Sequence, residues 1–122
     1  MKWAATILGQ PRSKANSRVQ RKSPRTGKMF SGKNQKCLDY VESVKVQALV
    51  VRPARLLEGP LSFRGTLYYP NNQSDLDPSL LIDCLQGIVF TNDRQVKHWD
   101  VRHGIDKANP RAEIEIVEIG AS

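Results

Sequence analysis

The first third of this 122-residue chain lacks acidic residues. Residues 1–38 hold ten Lys and Arg and no Asp or Glu, while all twelve acids lie from Asp39 onward, against nine Lys and Arg there. The formal charge is +7. Such an imbalance bears on partners rather than fold, and it points first to nucleic acid and second to an anionic membrane surface. Cysteine is scarce: Cys37 and Cys84 are isolated, which excludes a disulfide framework and a sequence-readable zinc site. Both sit among apolar residues and read as buried thiols in a reducing compartment. No apolar run approaches ~18 residues, so no membrane-spanning helix is expected. The N-terminus lacks the apolar stretch of a signal peptide. These absences predict a soluble, cytoplasmic protein. Histidine is limited to His98 and His103, which read as surface or partly satisfied side chains. No Ser-His-Asp or Cys-His arrangement and no Gly-rich phosphate loop is legible. The basic stretch carries no interleaved aromatics, which argues against a platform for stacking single-stranded bases.

What is present predicts one α+β domain. Residues 3–8, "WAATIL", read as a buried strand. "GQPRSKANSRVQRKSPRTGK" is rich in Gly, Pro, Ser, Asn and basic residues and reads as a basic surface loop or hairpin over about 9–28. "KMFSG" is a candidate short strand. Ser31 is a candidate cap for a helix from about Gly32 to Val51, with Cys37, Leu38, Val41, Val44, Ala48 and Leu49 recurring at helical spacing. In "PLSFRGTLYYP", Leu61, Phe63, Leu67 and Tyr69 alternate with Ser62, Arg64, Thr66 and Tyr68, the signature of a half-buried strand. Asp77 followed by Pro78 signals a helix start, with Asp77 at the cap. Leu80, Leu81, Cys84, Leu85 and Ile88 form that helix's apolar stripe. "FTNDRQ" reads as a turn, residues 95–102 as a strand, "HGIDKANP" as a loop and "RAEIEIVEI" as a final strand. The order implies a mixed sheet of about four to five strands covered by two helices.

Carboxylates gather in "SDLDPSLLIDCLQGIVFTNDRQV", residues 74–96, which holds Asp75, Asp77, Asp83 and Asp93. In extended backbone Asp75 and Asp77 share a face, about 7 Å apart. Together with Asp93, they make an oxygen-ligand set suited to Mg²⁺. A cation held there can polarise a phosphodiester and activate water. The alternative is structural: Asp77 caps a helix, Asp93 belongs to a turn, and Asp83 faces solvent.

The order of motifs resembles the RusA family of Holliday-junction resolvases across nearly the whole chain. The resemblance rests on "GQPRSKANSR" after the first strand, the D-L-D of residues 75–77, and the helix with "LIDCLQG". It continues through the turn "NDRQV" to a terminal strand preceded by "PR". It implies a homodimeric, Mg²⁺-dependent endodeoxyribonuclease (Mn²⁺ substituting) that nicks four-way DNA junctions in recombination and repair. By position, Asp75, Asp77 and Asp93 match the family's catalytic metal ligands. The family's turn begins with a further aspartate, where this chain has Asn92. Lys14, Asn16, Arg18, Arg21, Lys22 and Lys28 are the expected DNA contacts, acting on the backbone rather than the bases. The resemblance implies a bacterial or phage origin. One departure is clear: Pro78 follows the D-L-D, and residues 78–88 contain no lysine, where the family carries one that assists catalysis. Lys97, Arg102 and Lys107 are the candidate replacements. The alternatives are a non-catalytic nucleic-acid-binding protein and a less selective metal-dependent nuclease.

Overall fold

The computed structural model describes residues 1–13, 18–22, 29–33, 35–73 and 76–120. The strands are β1 (Lys2–Leu8), β2 (Arg18–Lys22), β3 (Met29–Lys33), β4 (Leu61–Tyr69), β5 (Val96–Ile105) and β6 (Arg111–Glu118). The helices are α1 (Gln35–Val50) and α2 (Ser79–Leu85), and a 3₁₀ turn spans Asp93–Gln95. Strands β1, β6, β4 and β5 form one sheet in that order; β2 and β3 pair antiparallel as a second. In the larger sheet β6 runs antiparallel to both β1 and β4, whereas β4 and β5 are parallel. A parallel pair cannot be closed by a hairpin, and α2 lies in the connection that returns the chain from β4 to β5. The expected α+β fold with a mixed sheet and two helices is therefore the observed one.

One face of the sheet carries the core. Trp3 and Ile7 of β1, Leu61, Phe63, Leu67 and Tyr69 of β4, and Ala112, Ile114 and Ile116 of β6 are buried. They pack in one cluster with Cys37, Tyr40, Val44 and Ala48 of α1 and Leu80, Leu81, Cys84 and Leu85 of α2. The opposite face stays open and polar, with Thr6, Glu113, Arg64 and Arg102 exposed or half-buried on it. The period-two alternation of β4 and β6 follows from this one-sided burial. Gly65 serves the close packing of β4 on β6: a Cβ there would stand 2.6 Å from the Glu113 carbonyl oxygen.

Four expectations need correction. "WAATIL" is an edge strand with two buried side chains, Trp3 and Ile7, rather than a buried one; its apolar run conceals an alternation in which Ala4 and Leu8 face solvent. Ser31 lies inside β3 and caps no helix, because α1 begins at Gln35. The buried stripe of α1 is Cys37, Tyr40, Val44 and Ala48, while Leu38 and Leu49 are exposed. The amphipathic Tyr40 takes the place of Leu38, and among the described residues its buried hydroxyl has no hydrogen-bond partner. Finally, β5 continues to Ile105, so the stretch "HGI" belongs to the strand. Cys37 and Cys84 are buried and form no disulfide.

Candidate active site

Asp77 stands just ahead of α2. Its Oδ1 accepts the Ser79 N–H at 2.9 Å, and its Oδ2 accepts the Ser13 hydroxyl at 2.8 Å. Pro78, not Asp77, occupies the cap position. The carboxylate reaches over Pro78 to satisfy one of the first-turn N–H groups that a helix leaves unpaired. Ser13 belongs to the segment after β1, so this bond ties the N-terminal stretch to the acidic segment across 64 positions. Each oxygen of the half-buried carboxylate holds one of these bonds, and hard carboxylate oxygens suit Mg²⁺. Asp75 lies outside the described residues.

Asp93 is exposed at the start of the 3₁₀ turn, and its N–H donates to Gln86 Oε1 at 3.0 Å. The turn is built by its neighbours. Asn92 Oδ1 accepts the Arg94 N–H at 2.9 Å. Gln95 Oε1 accepts the N–H groups of Thr91 and Asn92, each at 3.0 Å. Gln95 Nε2 donates to the carbonyls of Leu57 and Gly59, each at 3.1 Å. This reciprocal capping box explains Asn and Gln three residues apart in "NDRQ". Gln86 follows the last residue of α2, so Asp77 and Asp93 stand at opposite ends of that helix. Among the described residues, no group of three or more His, Cys, Asp or Glu is gathered closely enough to hold a metal. Asp83 is half-buried on α2 rather than on an exposed face.

Arg18, Arg21 and Lys22 lie on β2, paired with β3. Lys14, Asn16 and Lys28 fall outside the described residues. Of the candidate replacements for the helix lysine, Lys97 is exposed at the start of β5 and Lys107 in the loop beyond it. Arg102 Nε lies 3.6 Å from Asp100 on the same strand. The histidines are engaged: His98 Nδ1 is 2.9 Å from Ser62 Oγ, and the His103 ring stacks on Tyr69 at 4.6 Å. Tyr69 is core, whereas Trp99 is 46% exposed with its ring 5.2 Å from that of Phe63. Arg111, the arginine of the "PR" pair, fastens the last loop. It bonds Asp106 and Glu113, each at 2.7 Å, and lies 4.0 Å over the Tyr68 ring. Its guanidinium holds the Asp106 carboxyl below the usual carboxylate range. Burial pushes the Tyr40 phenol upward, and the nearby Cys84 and Tyr69 add to this while Arg12 opposes it.

Sequence reasoning missed two residues. Ser13 was hidden among other polar residues of "GQPRSKANSR", and only its distance to Asp77 reveals it. Gln95 was visible as the conspicuous Gln of "NDRQV", without its role.

A compact α+β domain with a strongly basic N-terminal third and a buttressed aspartate at a helix start defines a class: proteins equipped to act on a polyanion. The particular family follows from the sequence. Residues 9–117 match the endodeoxyribonuclease RusA family, and the chain belongs to it. It is thus an endodeoxyribonuclease of the Holliday-junction type, hydrolysing phosphodiester bonds in DNA. Nucleases of this family are in general dependent on a divalent metal. Comparison with curated proteins found no match. Among the described residues, no helix is long and apolar enough to cross a membrane.

Proposed function

We propose that this protein resolves four-way DNA junctions by paired, symmetric nicking with Mg²⁺, Mn²⁺ substituting, and that it does so as a homodimer in DNA recombination and repair. The observation that carries this reading is the Ser13–Asp77 bond at 2.8 Å. It joins the segment entering the basic stretch to the second aspartate of the D-x-D, both inside the family match. In this reading Asp75, Asp77 and Asp93 are the catalytic carboxylates and the metal ligands. Bound there, the cation supplies charge stabilisation at the scissile phosphate and a water of lowered pKa. Ser13 orients the Asp77 carboxylate, as outer partners of metal ligands do. Asp93 contributes from the turn that Gln95 braces. Lys14, Asn16, Arg18, Arg21, Lys22 and Lys28 hold the junction's phosphates and make binding steeply salt-dependent. A four-way junction offers two equivalent strands, and a two-fold dimer presents two equivalent sites.

The test uses a labelled junction with Mg²⁺, beside EDTA, linear duplex and the variants Asp75→Asn, Asp77→Asn and Asp93→Asn. The expected result is paired symmetric nicks that need metal and each carboxylate, with binding retained by the variants. Undiminished nicking by Asp75→Asn would overturn the site. Equal cleavage of linear duplex would overturn the junction selectivity.

A further inference from the structure

We propose that Trp99 is a stacking platform for an unstacked nucleobase of the DNA substrate, with Arg94 and Lys97 beside it for the neighbouring phosphates. DNA as the substrate comes from the family. A base contact on β5 is additional to the carboxylates and phosphate contacts above, and only its link to the cut strand rests on the reading of Asp93 given there.

Trp99 lies on β5, an outer strand of the sheet. A register shift sets the way it faces. Leu61 of β4 pairs with Val96, but the next residue, Ser62, pairs with His98, so Lys97 is one residue extra on β5. Strict alternation from the buried Val96 would turn His98 toward the helices and Trp99 toward the open polar face. The extra residue reverses this. Trp99 pairs with Phe63, a core residue, and Asp100 pairs with Arg64 on the polar face. Bulges of this kind are rare in parallel pairs, and they gather at sheet edges and beside active sites, where they re-aim a side chain. Here the shift comes directly after the turn that carries Asp93, and the side chain it re-aims is a tryptophan.

Among the described residues, Trp99 is the one exposed aromatic side chain. Trp3, Tyr40, Phe63, Tyr69 and Phe90 are buried, and Tyr68 is half-buried beneath the Arg111 guanidinium. Packing uses only part of the Trp99 ring: it meets Phe63 at 5.2 Å between centroids with the planes tilted by 49°, and 46% of the residue stays open to solvent. The charges nearby in the chain are positive. Arg94 and Lys97 are exposed, and among the described residues neither forms an ion pair. Asp100, the one acid within β5, is turned to the other face, where its carboxylate lies 3.6 Å from Arg102.

An open indole beside two unpaired cations matches the chemistry of a nucleic-acid strand: the ring takes a base and the cations take its phosphates. Bases inside an uninterrupted duplex stack on both neighbours and offer no free face. At a branch point the stack of an arm ends, and a base there leaves it at the least cost. Trp99 follows Asp93 by six positions, on the strand that the Asp93 turn opens. A base held on Trp99 therefore anchors the strand close to the phosphate that Asp93 serves.

Tryptophan emission of the full chain tests this, with a four-way junction and a continuous duplex of the same sequence added in EDTA, which stops cleavage. Anisotropy of the labelled DNA follows binding. Trp3 is 5% exposed and its indole N–H is held by the Val51 carbonyl, so a change on adding DNA reports Trp99. The junction is expected to quench the emission and to shield it from acrylamide, and the duplex to do so far less. Trp99→Phe keeps a ring and should bind the junction nearly as the wild type does. Trp99→Ala should bind it about 5- to 150-fold more weakly, the loss that removing one base–aromatic stack brings. Lys97→Ala should lower the salt slope of binding by about 1. Circular dichroism checks the fold of each variant, and the wild-type quenching carries the test if Trp99→Ala fails to fold. Unchanged emission at saturating junction overturns the platform, as does a folded Trp99→Ala that binds like the wild type. Equal quenching by the duplex overturns the unstacked base. Trp99 quenched in a protein that nicks no junction would overturn the proposed function alone; junction nicking with Trp99 silent would overturn the platform alone.

Discussion

Replacing Gln95 by alanine isolates the device that holds the Asp93 turn. The side chain makes four hydrogen bonds, two accepted from Thr91 and Asn92 and two donated to Leu57 and Gly59. The bond to Leu57 is partly buried, and the other three are exposed. At a net ~0.5–1.5 kcal/mol per bond, with exposed ones at the low end, the sum is roughly 2–3 kcal/mol. For a domain of this size that corresponds to a fall in Tm of about 8–15 °C. Thermal melts followed by circular dichroism, with urea denaturation at 25 °C as a second probe, measure it. Gln95→Glu keeps the two acceptor bonds, loses both donors and sets a carboxylate against two carbonyls, so it should not recover the loss. Junction cleavage below the melting range should fall in both variants while DNA binding persists, because the turn positions Asp93 rather than contacting phosphate. A Tm drop under about 2 °C for Gln95→Ala would refute the reasoning, since four native bonds cannot be so nearly replaced by water.

Three further outcomes are expected. Ser13→Ala should raise the Mg²⁺ concentration for half-maximal cleavage by about 10- to 100-fold, the usual cost of losing a partner behind a metal ligand; an unchanged Mg²⁺ dependence removes Ser13 from the site. Tyr40→Phe should leave stability unchanged or raise it by up to about 1 kcal/mol, because it removes a buried hydroxyl that has no partner among the described residues; a clear loss in urea denaturation would contradict this. Glu118 accepts the Glu58 N–H at 2.7 Å and pairs with the Met1 amino group at 3.0 Å and with Arg55 at 3.4 Å. Led by the Glu58 bond, these contacts lower its pKa to about 2 from 4.5. A folded pKa below the unfolded one stabilises above the unfolded value and loses that stability as pH falls. The Tm gap between wild type and Glu118→Gln should therefore be full at pH 7 and shrink between pH 4.5 and 2; a gap constant with pH would contradict the contact.

The local code of this chain was legible wherever burial is one-sided. The alternation in Leu61–Tyr69 and Arg111–Glu118, the helical spacing around Val44, and Asp-Pro ahead of α2 each settle an element through nearest-neighbour physics. The D-x-D pair, the acid-free basic third and the order of motifs also sufficed to place the chain in its nuclease family. Other features depend on residues far apart in sequence. Nothing in "WAATIL" says that it lies at an edge, because edge and interior differ only in what stands beside the strand. Whether Leu38 or Tyr40 faces the core depends on how α1 rolls against β1 and α2, a matter of tertiary packing. Ser13 and Asp77 meet across 64 positions, and no local pattern encodes a bond between two separate segments. Gln47 finds the Leu8 backbone for the same reason: a side-chain amide can complete a strand edge only after the fold has brought that edge to it.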